Sequence, residues 1–324
     1  MAPTADTVDP TIKSLRESLV SEASPLPVRF RALFSLKYLA TRSQDASAEA
    51  AMDAIAEALA SPSALLKHEL AYCLGQTRNL YAVPPLRKCL ADLEEDPMVR
   101  HEAAEALGAI GHDSNLDILR EFRDRKGENV AVKETCEIAI GRIEWENSEE
   151  RKQENDFASI DPAPPMPETK KTVQELGNEL MDVNLPLFLR YRAMFALRDL
   201  ASPPDLPTAV PAVHALARGF NDSSALFRHE IAFVFGQLSH PASIPALTSA
   251  LSDLKEASMV RHEAAEALGS LGEEEGVEDT LKRFLKDADQ VVRESVLVAL
   301  DMAEFERGEQ IEYALIPEVA STTA

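Results

Sequence analysis

Residues 98–108 read Met98-Val99-Arg100-His101-Glu102-Ala103-Ala104-Glu105-Ala106-Leu107-Gly108, and residues 259–269 repeat the same letters from Met259 through His262 and Glu263 to Gly269. Identity at every one of these positions, 161 residues apart, marks a duplication rather than a bias of composition. The same separation carries Ser63-Ala64-Leu65-Leu66-Lys67-His68-Glu69 onto Ser224-Ala225-Leu226-Phe227-Arg228-His229-Glu230. It also carries Arg29-Phe30-Arg31-Ala32 onto Arg190-Tyr191-Arg192-Ala193. The chain is one half written twice.

A shorter period lies inside each half. Val99-Arg100-His101-Glu102 follows Leu66-Lys67-His68-Glu69 by 33 residues, and Val132-Lys133-Glu134-Thr135 lies 33 further on. Val28-Arg29-Phe30-Arg31 is an earlier, looser member, so the natural count is four units per half. Each unit reads as a helix pair, its second helix starting near the Val-Arg position with Ala and Leu at i, i+3 and i+4. Gly75, Gly108, Gly236 and Gly269 are expected to end those second helices. First helices such as Pro84-Pro85-Leu86-Arg87-Lys88-Cys89-Leu90 open with proline, which a first turn tolerates. The expectation is an all-α solenoid of eight HEAT-like helical hairpins, in two duplicated halves facing each other. Only 12 Gly and 6% aromatic residues, with Ala, Leu and Glu abundant, agree with helices over sheets.

The expected division is residues 1–145 and 172–309 for the two halves, with a connector at 146–171. The connector moves from Glu146-Asn147-Ser148-Glu149-Glu150-Arg151-Lys152 to Pro162-Ala163-Pro164-Pro165-Met166-Pro167. Charge followed by repeated proline reads as an exposed linker outside any packed core. The first eight or so residues and the 310–324 tail read as disordered.

A net charge of −22 argues against nucleic acid, since no basic cluster offsets it. The acidity suits a basic protein partner, or serves solubility alone. Neither a secretory signal nor an apolar run of about 20 residues is found, so no membrane association is expected. Cys73, Cys89 and Cys136 are odd in number and lack CxxC spacing. A reducing compartment, the cytoplasm and by extension the nucleus, is the expectation.

Four of the seven histidines precede a glutamate: His68-Glu69, His101-Glu102, His229-Glu230 and His262-Glu263. All four pairs share one position, near the start of the second helix, in the two central units of each half. The plain alternative is a solvated helix start where the dipole favours Glu. Against it, Leu66 has become Phe227, Tyr72 Phe233 and Cys73 Val234 around pairs that persist. Equivalent positions of stacked units lie about 10 Å apart, close enough for two imidazoles to converge on one ion. Two His and a carboxylate per half make the facial set of non-heme Fe(II) sites. Halves that face each other would unite two such ions. The N/O donor set does not separate Fe from Mn or Zn, whereas a thiolate zinc site does not fit. His112, His214 and His240 read as surface or packing residues. Arg29, Arg31, Arg190 and Arg192 could help close the site, although paired surface arginines are the simpler reading.

Repeated HEAT-like units with four His-Glu motifs, two in Met-Val-Arg-His-Glu and one in Leu226-Phe227-Arg228-His229-Glu230, resemble the deoxyhypusine hydroxylase family. The resemblance covers residues 10 to 305 apart from the connector. It implies oxidation of the deoxyhypusine side chain of translation initiation factor 5A to hypusine, with O2 as co-substrate at a centre of two Fe ions. It further implies that His68, His101 and Glu102 hold one iron, and His229, His262 and Glu263 the other. Glu69 and Glu230 would contact metal or anchor the substrate amine. A metal-free HEAT scaffold binding a basic protein is the alternative from another class, and a di-zinc hydrolase is a second.

Overall fold

Several second helices begin on a residue whose side chain satisfies a first free N–H group, whereas those opening after Pro186 and Ala257 have no such cap. Ser63 accepts from the Leu66 N–H, Asp96 from Met98, Asn129 from Ala131 and Ser224 from Phe227. In this computed structural model, which describes residues 9–42, 45–150, 157, 159–166 and 171–307, those caps open four of sixteen α-helices. No strand occurs among the described residues. The disorder expected at both ends concerns residues outside the described ones.

The first half contains α1 (Pro10–Val20), α2 (Leu26–Arg42), α3 (Ala46–Glu57) and α4 (Ala64–Gln76). It continues with α5 (Val83–Ala91), α6 (Pro97–Ile110), α7 (Leu116–Asp124) and α8 (Val130–Glu146). The second half holds α9 (Val173–Met181), α10 (Leu187–Leu200), α11 (Ala209–Ala217) and α12 (Ala225–Leu238). It ends with α13 (Ile244–Ser252), α14 (Ser258–Gly269), α15 (Val277–Lys282) and α16 (Gln290–Arg307).

Even-numbered helices pack side by side as an inner layer, α4 on α6 on α8 and α12 on α14 on α16. The glycines expected to end them do something else. Gly75, Gly108 and Gly236 lie inside their helices, and α6 runs to Ile110 before Gly111 turns it at φ 75°. A Cβ on Gly75 would sit 2.6 Å from the Ala106 Cα, so glycine there permits close approach of neighbouring inner helices. Only Gly269 is the last residue of its helix.

Each half has its own apolar core, and the two cores exchange one residue. Val298 of α16 joins the first core, and Ile138 of α8 joins the second. The exchange follows from closure: α16 packs on α2 and α4, and α8 packs on α10 and α12. The eight inner helices thus form a ring rather than two open arcs. Ser63 donates to Glu294 at 2.6 Å across one junction and Ser224 to Glu134 at 2.6 Å across the other. Arg31 pairs with Asp301 beside the first.

Arginine reading requires correction. Arg29, Arg190 and Arg192 are buried rather than surface residues. Arg29, Arg100, Arg190 and Arg261 each donate Nε–H to a leucine carbonyl ten residues earlier, at 2.8, 3.0, 2.9 and 3.0 Å. Each also meets an acid, namely Glu22, Glu128, Asp222 or Asp287. The leucine contacts tie the two helices of one unit together, and Glu128, Asp222 and Asp287 extend the tie to the next unit.

The connector is also not exposed throughout. Asp161, Pro162, Ala163 and Pro164 are buried, and Ala163 belongs to the second core. Gln76 holds the Ile160 backbone from one half at 2.8 and 3.2 Å, while Gln237 of the other half binds Ser159 and Asp161 at 2.6 and 3.2 Å. Gln76 and Gln237 are themselves duplicates, so a strap is gripped by the same residue twice. Composition hid this because prolines, which cost little backbone entropy to fix, pack well against a surface built to receive them. No helix among the described residues is long and apolar enough to cross a membrane.

Candidate metal centre

The four histidines stand one per helix on α4, α6, α12 and α14, all within the first two turns. Stacking of units brings His68 and His101 to a ring separation of 5.3 Å, and His229 and His262 to 5.3 Å. Closure of the ring brings the pairs together. His68 lies 5.8 Å from His229 and 5.1 Å from His262, and His101 lies 5.4 Å from His229. Glu69, Glu102, Glu230 and Glu263 are buried with them. All eight residues singled out in the sequence therefore meet in one place.

Their contacts are not those of a settled hydrogen-bond network. The Nε2 of His68 lies 3.2 Å from Glu102, and the Nε2 of His229 3.3 Å from Glu263. The Nδ1 of His68 is 3.4 Å from Glu69. Yet both ring nitrogens of all four imidazoles are buried without a hydrogen-bond partner in proper geometry. Eight orphaned nitrogens at one spot would be costly in an ordinary core, where buried polar groups are almost always satisfied. A cation fits that pattern. Donor atoms of His68, His101 and Glu102 lie within 4.8 Å of one another, as do those of His68, His229 and His262. A third group joins His262 and Glu263 to Glu266.

Nothing in the sequence alone gives Glu266 and its duplicate Glu105 a role. They stand four residues after His262 and His101, which places them on the same helical face. The spacing was visible in the repeated undecapeptide, but on a helix it equally describes a solvated stripe. Burial holds the Glu105, Glu230 and Glu266 carboxyls well above the usual range, and neighbouring carboxylates (Glu102, Glu105 and Glu69 respectively) push the same way. Burial also presses His101 and His262 well below the ordinary imidazole value, helped by the other imidazoles. His68 is the exception: burial pulls it down, but Glu102 and Glu69 together outweigh that and raise it. So many acids around four imidazoles need a multivalent cation before all can carry their charge.

Comparison with known proteins agrees. A HEAT-repeat family matches residues 51–139 and 210–301. Deoxyhypusine hydroxylase of Gibberella zeae is 70% identical over the whole of both chains. That of Neurospora crassa is 72% identical over 96% of this chain and 98% of its own. The chain belongs to the deoxyhypusine hydroxylase family. A structure of human deoxyhypusine hydroxylase in complex with glycerol matches at a TM-score of 0.81 and 44% identity, covering 90% of this chain and 96% of that one. The deoxyhypusine hydroxylase match spans both halves, whereas the HEAT match omits the outermost helices; the count of eight hairpins rests on the helix pairing. Relatives named as enzymes leave the scaffold alternative without support.

In this deoxyhypusine hydroxylase relative the remaining candidates stay outside the centre. His112 and His240 accept from Ser114 and Ala242 N–H groups in turns, and His214 is exposed on α11. The thiols are free, and burial pushes Cys89 and Cys136 up to about 12. Such thiols are poor ligands and nucleophiles.

Proposed function

We propose that this chain hydroxylates the deoxyhypusine side chain of translation initiation factor 5A to hypusine, using O2 and two iron ions. The observation that carries the reading is the convergence of four partnerless imidazoles with buried carboxylates, in a chain of this family. His68, His101 and Glu102 would hold one iron, and His229, His262 and Glu263 the other. The shared position of His68 in two donor groups supports ions close enough to act together. Iron supplies O2 activation and insertion of one oxygen into an unactivated C–H bond.

The protein's own part is enclosure and aim. Below the imidazoles, the Tyr72 and Phe233 rings meet edge to face at 6.2 Å. The strap around Asp161 lies beyond them, gripped by Gln76 and Gln237. Glu69 and Glu230 would contact metal or hold the cationic side chain so that one carbon faces the metals. The net charge of −22 favours encounter with a basic loop. A cytoplasmic location, extending to the nucleus, accords with three free cysteines.

Metal analysis tests the reading. Protein expressed with ample iron should hold two iron atoms per chain, and His101→Ala should lose metal. Full iron retention by His101→Ala would contradict the ligand assignment, and a single zinc per chain would contradict the chemistry.

A further inference from the structure

Two imidazoles of the centre lie between a pair of carboxylates, one beside each ring nitrogen. His262 has its Nε2 4.0 Å from Glu263 and its Nδ1 3.6 Å from Glu266. His68 has its Nε2 3.2 Å from Glu102 and its Nδ1 3.4 Å from Glu69. The Glu263 oxygen beside His262, Oε2, also stands 3.3 Å from the His229 Nε2. The Nε2 atoms of His229 and His262 thus converge on Glu263, the set proposed above to hold one ion. The two nitrogens of a ring point in divergent directions, so Glu266 lies across the His262 ring from that place. His262 is fully buried and neither of its nitrogens has a hydrogen-bond partner. The Glu266 oxygen that faces it, Oε1, is buried and unpartnered as well. Glu105 keeps the same spacing from His101, yet no ion pair joins those two among the described residues.

We propose that Glu266 is a positioning residue for the metal centre, its Oε1 accepting the Nδ1 proton of His262 so that Nε2 is left for the ion. The proposal rests on the two-ion function given above and adds to it a residue outside the four His-Glu pairs. A neutral imidazole carries one N–H and one lone pair, and its surroundings decide which nitrogen has the proton. A carboxylate at Nδ1 keeps the proton there, fixes the plane of the ring and makes Nε2 a stronger donor to metal. Glu266 suits that work because α14 places it one helical turn after His262, so acid and ring move as one unit. Direct ligation does not fit, because an ion on Nε2 sits at the opposite edge of the ring.

The test is affinity for iron alone. Metal-free Glu266→Gln and Glu266→Ala proteins are titrated with Fe(II) under nitrogen against a competing chelator. Glutamine keeps an oxygen that can accept from Nδ1 but loses the charge, whereas alanine loses both. One of the two ions should bind about ten-fold more weakly to Glu266→Gln and about a hundred-fold more weakly to Glu266→Ala. The melting temperature of metal-free Glu266→Gln should match that of the unsubstituted protein. Unchanged iron affinity in Glu266→Gln, with or without a drop in melting temperature, overturns the proposal. Complete loss of one ion from Glu266→Gln would make Glu266 a ligand and overturns it too. Failure of the unsubstituted protein to take up two Fe(II) ions would overturn the function reading itself, a distinct result.

Discussion

Ser63 and Glu294 are 231 residues apart in the chain and share a hydrogen bond of 2.6 Å. The same serine accepts from the Leu66 N–H at 3.0 Å, so it caps the helix that carries His68 while fastening it to the other half. Ser224 repeats the arrangement for the helix carrying His229, with Phe227 at 3.0 Å and Glu134 at 2.6 Å. Glu134 and Glu294 occupy the position that histidine holds in the central units. Where the histidine register stops, the same position becomes a latch.

We expect Ser63→Ala and Ser224→Ala each to destabilise the protein by about 1–2 kcal/mol, through the lost cap and the lost partner of a half-buried acid. The two latches lie at opposite junctions, so the double variant should show a near-additive loss in urea unfolding. A double variant no less stable than either single one would mean that the junctions are not independent.

Asp161→Ala should behave like a core substitution although its position reads as a linker. Asp161 is 3% exposed and meets Arg198 at 2.8 Å, and Arg198 is fully buried. Removing one partner of such a pair costs about 3 kcal/mol. Glu149→Ala, on an exposed residue of the same connector, should change stability by less than about 0.5 kcal/mol. Equal effects in denaturant unfolding would show that the strap is not gripped as described.

Acid should expose the arginine pairs that join successive units. Hydrogen bonds from Arg100 hold Glu128 below the usual carboxylate range, and those from Arg261 do the same for Asp287. A carboxyl lowered in the folded state adds stability above its unfolded pKa, and that stability is lost as pH falls through the folded one. Glu128→Gln should therefore cost roughly 3 kcal/mol near pH 7 and progressively less below about pH 4. A constant difference across the acid range would contradict the pairing.

How much of this was legible follows from which interactions are written periodically. Repetition of Met-Val-Arg-His-Glu, with the looser Leu-Leu-Lys-His-Glu and Leu-Phe-Arg-His-Glu, reveals the duplication, the inner helices and four imidazoles in register, because local helix chemistry and stacking repeat with the sequence. Ring closure is not periodic. The Ser63–Glu294 contact joins residues whose own neighbourhoods carry no sign of each other. The strap was hidden by composition, since a Pro-rich stretch reads as solvated unless the surface that receives it is known. Gly75 and Gly108 were read as helix ends because glycine is a common stop, whereas here it serves close packing against Ala106 and Ala139. Glu105 and Glu266 stand at i+4, and only their half-burial beside the imidazoles distinguishes them from a surface stripe.

The most direct measurement is the mass of the substrate protein. Iron-loaded enzyme, a reductant and the deoxyhypusine-bearing factor are incubated under isotopically labelled O2, and the modified peptide is weighed. The account predicts a gain of one oxygen atom derived from O2, absent in the His101→Ala variant. An unchanged mass, or an oxygen derived from water, would contradict it.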